Sequence, residues 1–125
     1  MKPPKLLTNA DLVRKFLFYN RKYFYGKVSI LYVRFEKLPN GAIGNTKAHR
    51  PMFRKGPDSY AIRLDVSLKK KPLLCEGTLL HEMVHVDLSL RDVSNSCAKG
   101  KSLACYHFQC RMLELAKAGA FNGIW

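Results

Sequence analysis

Residues 73–90, LLCEGTLLHEMVHVDLSL, form the most apolar stretch of the chain and hold its most informative motif. Apolar residues surround the two histidines on almost every side, so the stretch predicts a helix that is buried nearly all round. His81 and His85 are four residues apart, which on a helix places both imidazoles on one face, one turn apart. A buried helix that carries two histidines and a glutamate needs polar partners for them.

The spacing of these residues is typical of a metal site. Two imidazole nitrogens on one helix face can reach one tetrahedral zinc ion at about 2.0–2.1 Å. Glu82 lies about 100° round the helix from His81, beside the metal rather than on it. There its carboxylate can take a proton from a water molecule at the zinc and pass it to a leaving amine. We therefore expect His81 and His85 as zinc ligands and Glu82 as the general base of a zinc metallopeptidase.

A catalytic zinc also needs a third protein ligand and one open position. His107 is the favoured candidate, because it lies on the next predicted helix, which can fold back over the first. His49, in a basic loop, is the other remaining histidine. Further candidates are Asp92, Cys97, Cys105 and Cys110.

The whole chain of 125 residues predicts one α+β domain, with a basic tail at residues 1–7. Thr8 can cap a first helix, with Asp11 in its first turn and Gly26 as its end. Strands are expected at residues 28–36, 42–48 and 59–66, with an exposed loop at 49–58. After the helix at 73–90, a polar loop at 91–101 leads to a last helix at 102–118, with Phe108, Met112 and Leu115 along one apolar stripe.

The charge of the chain is large and uneven. The formal net charge is +13, and residues 1–71 hold 17 Lys and Arg against 4 Asp and Glu, while residues 72–125 hold 5 of each kind. Such a field suits a phosphate backbone and predicts non-specific binding to DNA that weakens with salt. The expected nucleic-acid contacts are Arg50, Phe53, Arg54, Lys55, Lys69, Lys70 and Lys71. In the loop at 49–58, the basic side chains can hold phosphates while Phe53 stacks on an unpaired base. A solvated loop with Phe53 packed into the core fits the same residues equally well.

The composition also indicates where the protein works. No apolar run approaches the roughly 18 residues needed to cross a membrane, and the start of the chain has no apolar segment typical of a secretory signal. We expect a cytoplasmic protein that makes no membrane contact, with its four cysteines reduced. A monomer is favoured.

At residues 78–86, TLLHEMVHV, the chain resembles the SprT-like, Spartan-related zinc metallopeptidases. The resemblance extends to nearly the whole chain: to Asn20, Tyr23, Phe24 and Gly26, to Ile62, Arg63 and Leu64, and to residues 115–121, LAKAGAF. It implies a zincin-like domain, three zinc-binding histidines and a glutamate base. It also implies proteolysis of proteins that are associated with DNA or crosslinked to it.

One position departs from the pattern of that family. Its members carry the third histidine a few residues before a phenylalanine; if Phe108 is that phenylalanine, the position holds Ala104. His107 follows three residues later, about 4.5 Å further along a helix axis.

Two other functions fit the same residues. A metal-dependent nuclease could use the same zinc site on a phosphate, although the glutamate directly after the first histidine favours peptide chemistry. A non-catalytic nucleic-acid-binding domain with a structural or degenerate metal site would account for the irregular third ligand.

Overall fold

A computed structural model of the chain describes residues 5–49, 59–90 and 103–122, with the backbone alone for residues 103–107. These ranges contain three α-helices: α1 (Asn9–Tyr23), α2 (Pro72–Leu90) and α3 (Leu103–Lys117). They also contain one sheet of three strands: β1 (Val33–Glu36), β2 (Gly44–His49) and β3 (Ser59–Asp65). A short 3₁₀ helix (Val66–Lys70) joins β3 to α2. The expected α+β class, with three helices and a small three-stranded sheet, is confirmed.

The central strand of the sheet is β3. It pairs in parallel with β1 and antiparallel with β2, so β2 is an edge strand of the described sheet. The register places Val33 and Thr46 on either side of Ile62. Because directly opposed residues point to the same side of a sheet, these three side chains share one face.

The first helix begins where the sequence predicts. The Thr8 hydroxyl oxygen accepts a hydrogen bond from the Asp11 N–H at 3.2 Å, and the Asp11 carboxylate accepts one from the Thr8 N–H at 2.8 Å. This reciprocal capping box satisfies backbone donors that would otherwise lack a partner. At the other end, Gly26 adopts φ +72° and donates its N–H to the Asn20 carbonyl at 2.9 Å.

The first strand is shorter than predicted, since it begins at Val33 rather than at residue 28. Asn20 of α1 binds the backbone of Val28 in both directions, donating to its carbonyl at 2.9 Å and accepting from its N–H at 3.0 Å. These bonds hold the start of the segment against the helix, and bonding to β3 starts only with the Leu31 N–H and the Tyr60 carbonyl. The other two strands begin and end within two residues of their predicted bounds.

Helices α1 and α2 pack on the sheet face that carries Ile62 and Leu64. As predicted, α2 is buried nearly all round, with Leu79, Leu80 and Met83 at 0% exposure. The opposite face of the sheet is polar: Arg63 donates hydrogen bonds to Asn45 and to Glu36. The described helices thus place the motif of α2 against β2 and β3, with Glu82 buried and His81 exposed.

The last helix occupies almost its predicted range, and Phe108 and Leu115 are buried as its apolar stripe indicates. Arg111 fixes its position: Nε donates to the buried Asp87 carboxylate at 3.1 Å, and Nη2 donates to the Tyr23 carbonyl at 2.8 Å. One side chain therefore connects α3 both to α2 and to the end of α1. The loop predicted at residues 91–101 lies outside the described residues.

The connection from β3 to α2 depends on Asp65. Its carboxylate accepts hydrogen bonds from the N–H of Leu38 at 2.9 Å and of Ser67 at 3.0 Å. The bond from the Leu38 backbone, and then those from Ser67, lower the pKa of Asp65 to about 2.

Among the described residues, none of the helices is long and apolar enough to cross a membrane.

Candidate metal centre

The two histidines of α2 lie together, as their spacing predicts. Their Nε2 atoms are 3.3 Å apart, and their ring centroids are 4.9 Å apart. Two nitrogens that bind one tetrahedral zinc ion at about 2.0–2.1 Å must themselves lie about 3.3 Å apart. The observed separation of 3.3 Å therefore fits two ligands of a single tetrahedral ion.

Glu82 joins the histidines in one cluster. Possible ligand atoms of His81, Glu82 and His85 all lie within 4.8 Å of one another, so the group can hold a metal ion. Glu82 is only 6% exposed, and its Oε2 accepts a hydrogen bond from the Thr46 hydroxyl of β2 at 3.0 Å. Thr46 thus orients the carboxylate from the neighbouring strand. Nothing in the sequence indicates Thr46 as part of this cluster, because it lies 36 residues away along the chain.

The protonation of the cluster follows from its surroundings. Burial raises the pKa of Glu82, against the smaller opposing effects of His85 and of the hydrogen bond from Thr46. His81 keeps an exposed edge, yet desolvation of its ring and then the neighbouring His85 lower its pKa. The lowered pKa favours the neutral imidazole, which is the form that binds metals.

The strand β2 can approach the motif closely because Gly44 has no side chain. A Cβ atom at this position would lie 2.6 Å from the Thr78 γ-methyl carbon and 3.4 Å from Cγ of Glu82. The first distance is shorter than a van der Waals contact allows, so the glycine permits the observed spacing between β2 and α2. This spacing brings Thr46 within reach of Glu82.

An aromatic ring from α3 covers one side of the histidine pair. The ring of Phe108 stacks on His85 with centroids 4.4 Å apart, and its centroid lies 4.8 Å from that of His81 in an edge-on arrangement. The sequence indicated Phe108 as part of an apolar stripe but gave no sign of this contact. The start of α3 therefore lies against the candidate metal centre.

This packing bears on the expected third ligand. His107 lies in α3 directly before Phe108, but its side chain, like those of Ala104 and Cys105, falls outside the described part of the chain. Asp92 and Cys97 also lie outside the described residues. The prediction of His107 as a zinc ligand therefore stays a prediction.

Two other candidates can be placed. Within the described residues, the metal-binding group includes neither His49 nor Cys110. His49 is three positions beyond Thr46 on β2, so it points to the opposite face of the sheet, where its ring lies 6.2 Å from that of Tyr32. Its buried Nε2 has no hydrogen-bond partner among the described atoms.

The expected nucleic-acid contacts are only partly described. Lys69 and Lys70 end the 3₁₀ helix and Lys71 follows it; Lys70 and Lys71 are exposed, and the Lys69 ammonium lies 5.6 Å from the centroid of the Phe35 ring. Arg50, Phe53, Arg54 and Lys55 lie outside the described residues.

No protein-family model matches the chain, and no curated protein matches it significantly.

Proposed function

We propose that this protein is a zinc-dependent metallopeptidase with a zincin-like, SprT-like domain, which acts on proteins associated with DNA or crosslinked to it. The observation that carries the proposal is the 3.3 Å separation of the His81 and His85 Nε2 atoms beside the buried carboxylate of Glu82. A second support is the resemblance of residues 78–86 to the motif of that family.

Zinc is the metal that fits these donors best. The Nε2 atoms of His81 and His85 have the separation expected for two ligands of a tetrahedral zinc ion, and a third nitrogen ligand would also suit zinc. We assign His107 as that third ligand. Bound there, zinc would lower the pKa of a water molecule and polarise the carbonyl of a peptide bond. His81 and His85 would hold it from one face of α2.

Glu82 would move the proton during hydrolysis. Its Oε2 is held by the Thr46 hydroxyl, so the other oxygen, Oε1, is the atom that would accept a proton from the attacking water. As the water oxygen bonds to the carbonyl carbon and the C–N bond breaks, Glu82 would pass that proton to the leaving amine. Burial favours this role, because the carboxylate is fixed and partly shielded from bulk water.

The charge of the chain supports a substrate on DNA. Residues 1–71 carry a balance of +13, while the half that contains the motif is neutral overall. Contacts to phosphates by Lys69, Lys70 and Lys71, together with the basic residues of the loop at 49–58, would hold the enzyme near proteins on the same DNA. Such tethering raises the effective concentration of the substrate, whatever the affinity of the site for the peptide itself.

A cleavage assay tests the proposal. A DNA-binding protein is incubated with wild type and with Glu82→Gln, with and without DNA, and with a chelator followed by added zinc. We expect zinc-dependent cleavage that DNA accelerates, and a loss of at least about 100-fold in Glu82→Gln although this variant keeps its zinc.

Other outcomes would identify the two competing functions. Zinc-dependent cleavage of bare DNA or RNA without cleavage of protein would indicate a nuclease. DNA binding without any cleavage, unchanged in Glu82→Gln, would indicate a non-catalytic binding domain. Either result would refute the proposed peptidase.

A further inference from the structure

A cavity of about 460 Å³ opens beside the candidate metal centre, between the start of β2 and the first half of α2. Its lining includes Ile43, Leu73, Leu74 and Gly77, and it also includes His81 and Glu82. The cavity is therefore continuous with the proposed catalytic residues. Its volume lies in the range of about 300–1,000 Å³ that is usual for ligand pockets.

Three large apolar side chains of the cavity lining are exposed. Ile43 is 45% exposed, Leu73 54% and Leu74 43%. A cluster of exposed apolar groups around a concavity is typical of a binding site. Among the described residues of the lining, Glu82 is the one acidic or basic side chain besides His81, and it is the proposed general base.

The edge of β2 beside the cavity suits an extended peptide. The Ile43 carbonyl accepts a hydrogen bond from the Asp65 N–H at 2.9 Å, so the backbone groups of Ile43 point towards β3. Backbone groups alternate in direction along a strand, which leaves those of Gly44 and Thr46 directed to the other edge. No described strand pairs with that edge, and a peptide can add there as a further strand.

We propose that this cavity is the subsite that selects the peptide, and that it binds a large apolar side chain such as that of Leu, Met or Phe. Since His81 and Glu82 line the same cavity, the side chain belongs to a residue that flanks the scissile bond. The rest of the substrate lies extended along β2. This inference rests on the peptidase function proposed above and adds the class of residue at which the enzyme cuts.

The decisive variant is Leu74→Glu. Leu74 is 43% exposed in the first turn of α2, where a helix N-terminus favours an acidic side chain, so the variant should fold. Leu17→Glu is the matched control, because Leu17 is 58% exposed on α1 and does not line the cavity. Cleavage sites in a mixed peptide library are read by mass spectrometry, and kcat/KM is measured for paired peptides with Leu or Lys at the selected position.

We expect wild type and Leu17→Glu to prefer Leu to Lys by at least about tenfold, and Leu74→Glu to prefer Lys. Cleavage without a side-chain preference, or a preference that Leu74→Glu leaves unchanged, would overturn the proposed subsite. Neither result would contradict the proposed peptidase function.

A binding measurement separates the subsite from the chemistry. The same labelled peptides are titrated against the inactive Glu82→Gln protein, with and without Leu74→Glu, and Kd is read from fluorescence anisotropy. The subsite is supported if the Leu peptide binds more tightly than the Lys peptide and if Leu74→Glu abolishes this difference. This result would support the subsite even if wild type cleaves nothing and the proposed function fails. Equal binding of both peptides contradicts the subsite.

Discussion

Glu82 illustrates how much of the candidate site is local in sequence. His81, Glu82 and His85 could be predicted because their arrangement depends only on the period of one helix. Thr46, which orients Glu82, could not, because its position depends on the register of β2 against β3 and on the approach of β2 to α2. The motif therefore predicts the chemistry, while its alignment comes from tertiary structure.

The hydrogen bond from Thr46 gives a first prediction. Thr46→Val keeps the shape of the side chain but removes the donor to Glu82 Oε2, so we expect kcat to fall by roughly tenfold while zinc content stays unchanged. Thr46→Ser keeps the hydroxyl and should restore most of the rate. Equal rates for wild type and Thr46→Val would show that Glu82 needs no such support.

A second prediction concerns the close approach at Gly44. In Gly44→Ala the new Cβ would lie 2.6 Å from the Thr78 γ-methyl carbon, so we expect the free energy of unfolding to fall by about 1–3 kcal/mol. Thr78→Ser removes that methyl group and keeps the hydroxyl that donates to the Leu74 carbonyl. In a double-mutant cycle by chemical denaturation, Gly44→Ala should cost less in the Thr78→Ser background. Strictly additive effects would contradict the contact.

At the level of elements, the helices were predicted better than the strands. The capping box of α1 and the apolar length of α2 are local signals. Helix α1 begins at its predicted cap and ends at Tyr23, three residues before Gly26, and α2 begins one residue before its expected start. The start of β1 was predicted wrongly because Asn20 binds the backbone of Val28, a contact that the β-branched residues of the segment do not reveal. The 3₁₀ helix before α2 was not predicted either, since it depends on Asp65.

Asp65 gives a prediction for pH. Its folded pKa of about 2 lies below its usual value of 3.8, so its ionised form stabilises the fold above about pH 4, and this contribution is lost as the pH falls towards 2. Asp65→Asn should lower Tm at pH 7, and the difference from wild type should shrink at pH 2.5. Thermal unfolding at the two pH values checks this. A Tm difference that does not depend on pH would contradict the assigned role of the charge.

At the scale of the whole molecule, the charge asymmetry can be read directly from the sequence, but the packing of α3 against the candidate metal centre cannot. Arg111 reaches Asp87 from 24 residues away and Tyr23 from 88 residues away, and these contacts position α3 with Phe108 over the histidines. Such distant pairs leave no periodic signal in the chain. The assignment of His107 as third ligand depends on this placement of α3.

The charge asymmetry predicts the salt dependence of DNA binding. We expect the affinity for a DNA duplex to fall at least about tenfold between roughly 50 and 200 mM salt. Replacing Lys70 and Lys71 by Gln should reduce the slope of log K against log salt by up to about 2. Lys117→Gln, in the half with balanced charge, is the control and should leave the slope unchanged. Fluorescence anisotropy measures all three proteins, and an affinity independent of salt would contradict phosphate contacts.

The central claim is that His81, His85 and His107 bind one zinc ion, and metal content tests it most directly. Elemental analysis of purified wild type, His81→Ala, His107→Ala and Ala104→His measures zinc per chain, with His49→Ala as the control on the opposite face of the sheet. We expect one zinc in wild type and in His49→Ala, and its loss in both His81→Ala and His107→Ala. Zinc retained in His107→Ala would remove that residue from the site. No zinc in wild type but one zinc in Ala104→His would contradict a working metal centre in the natural chain.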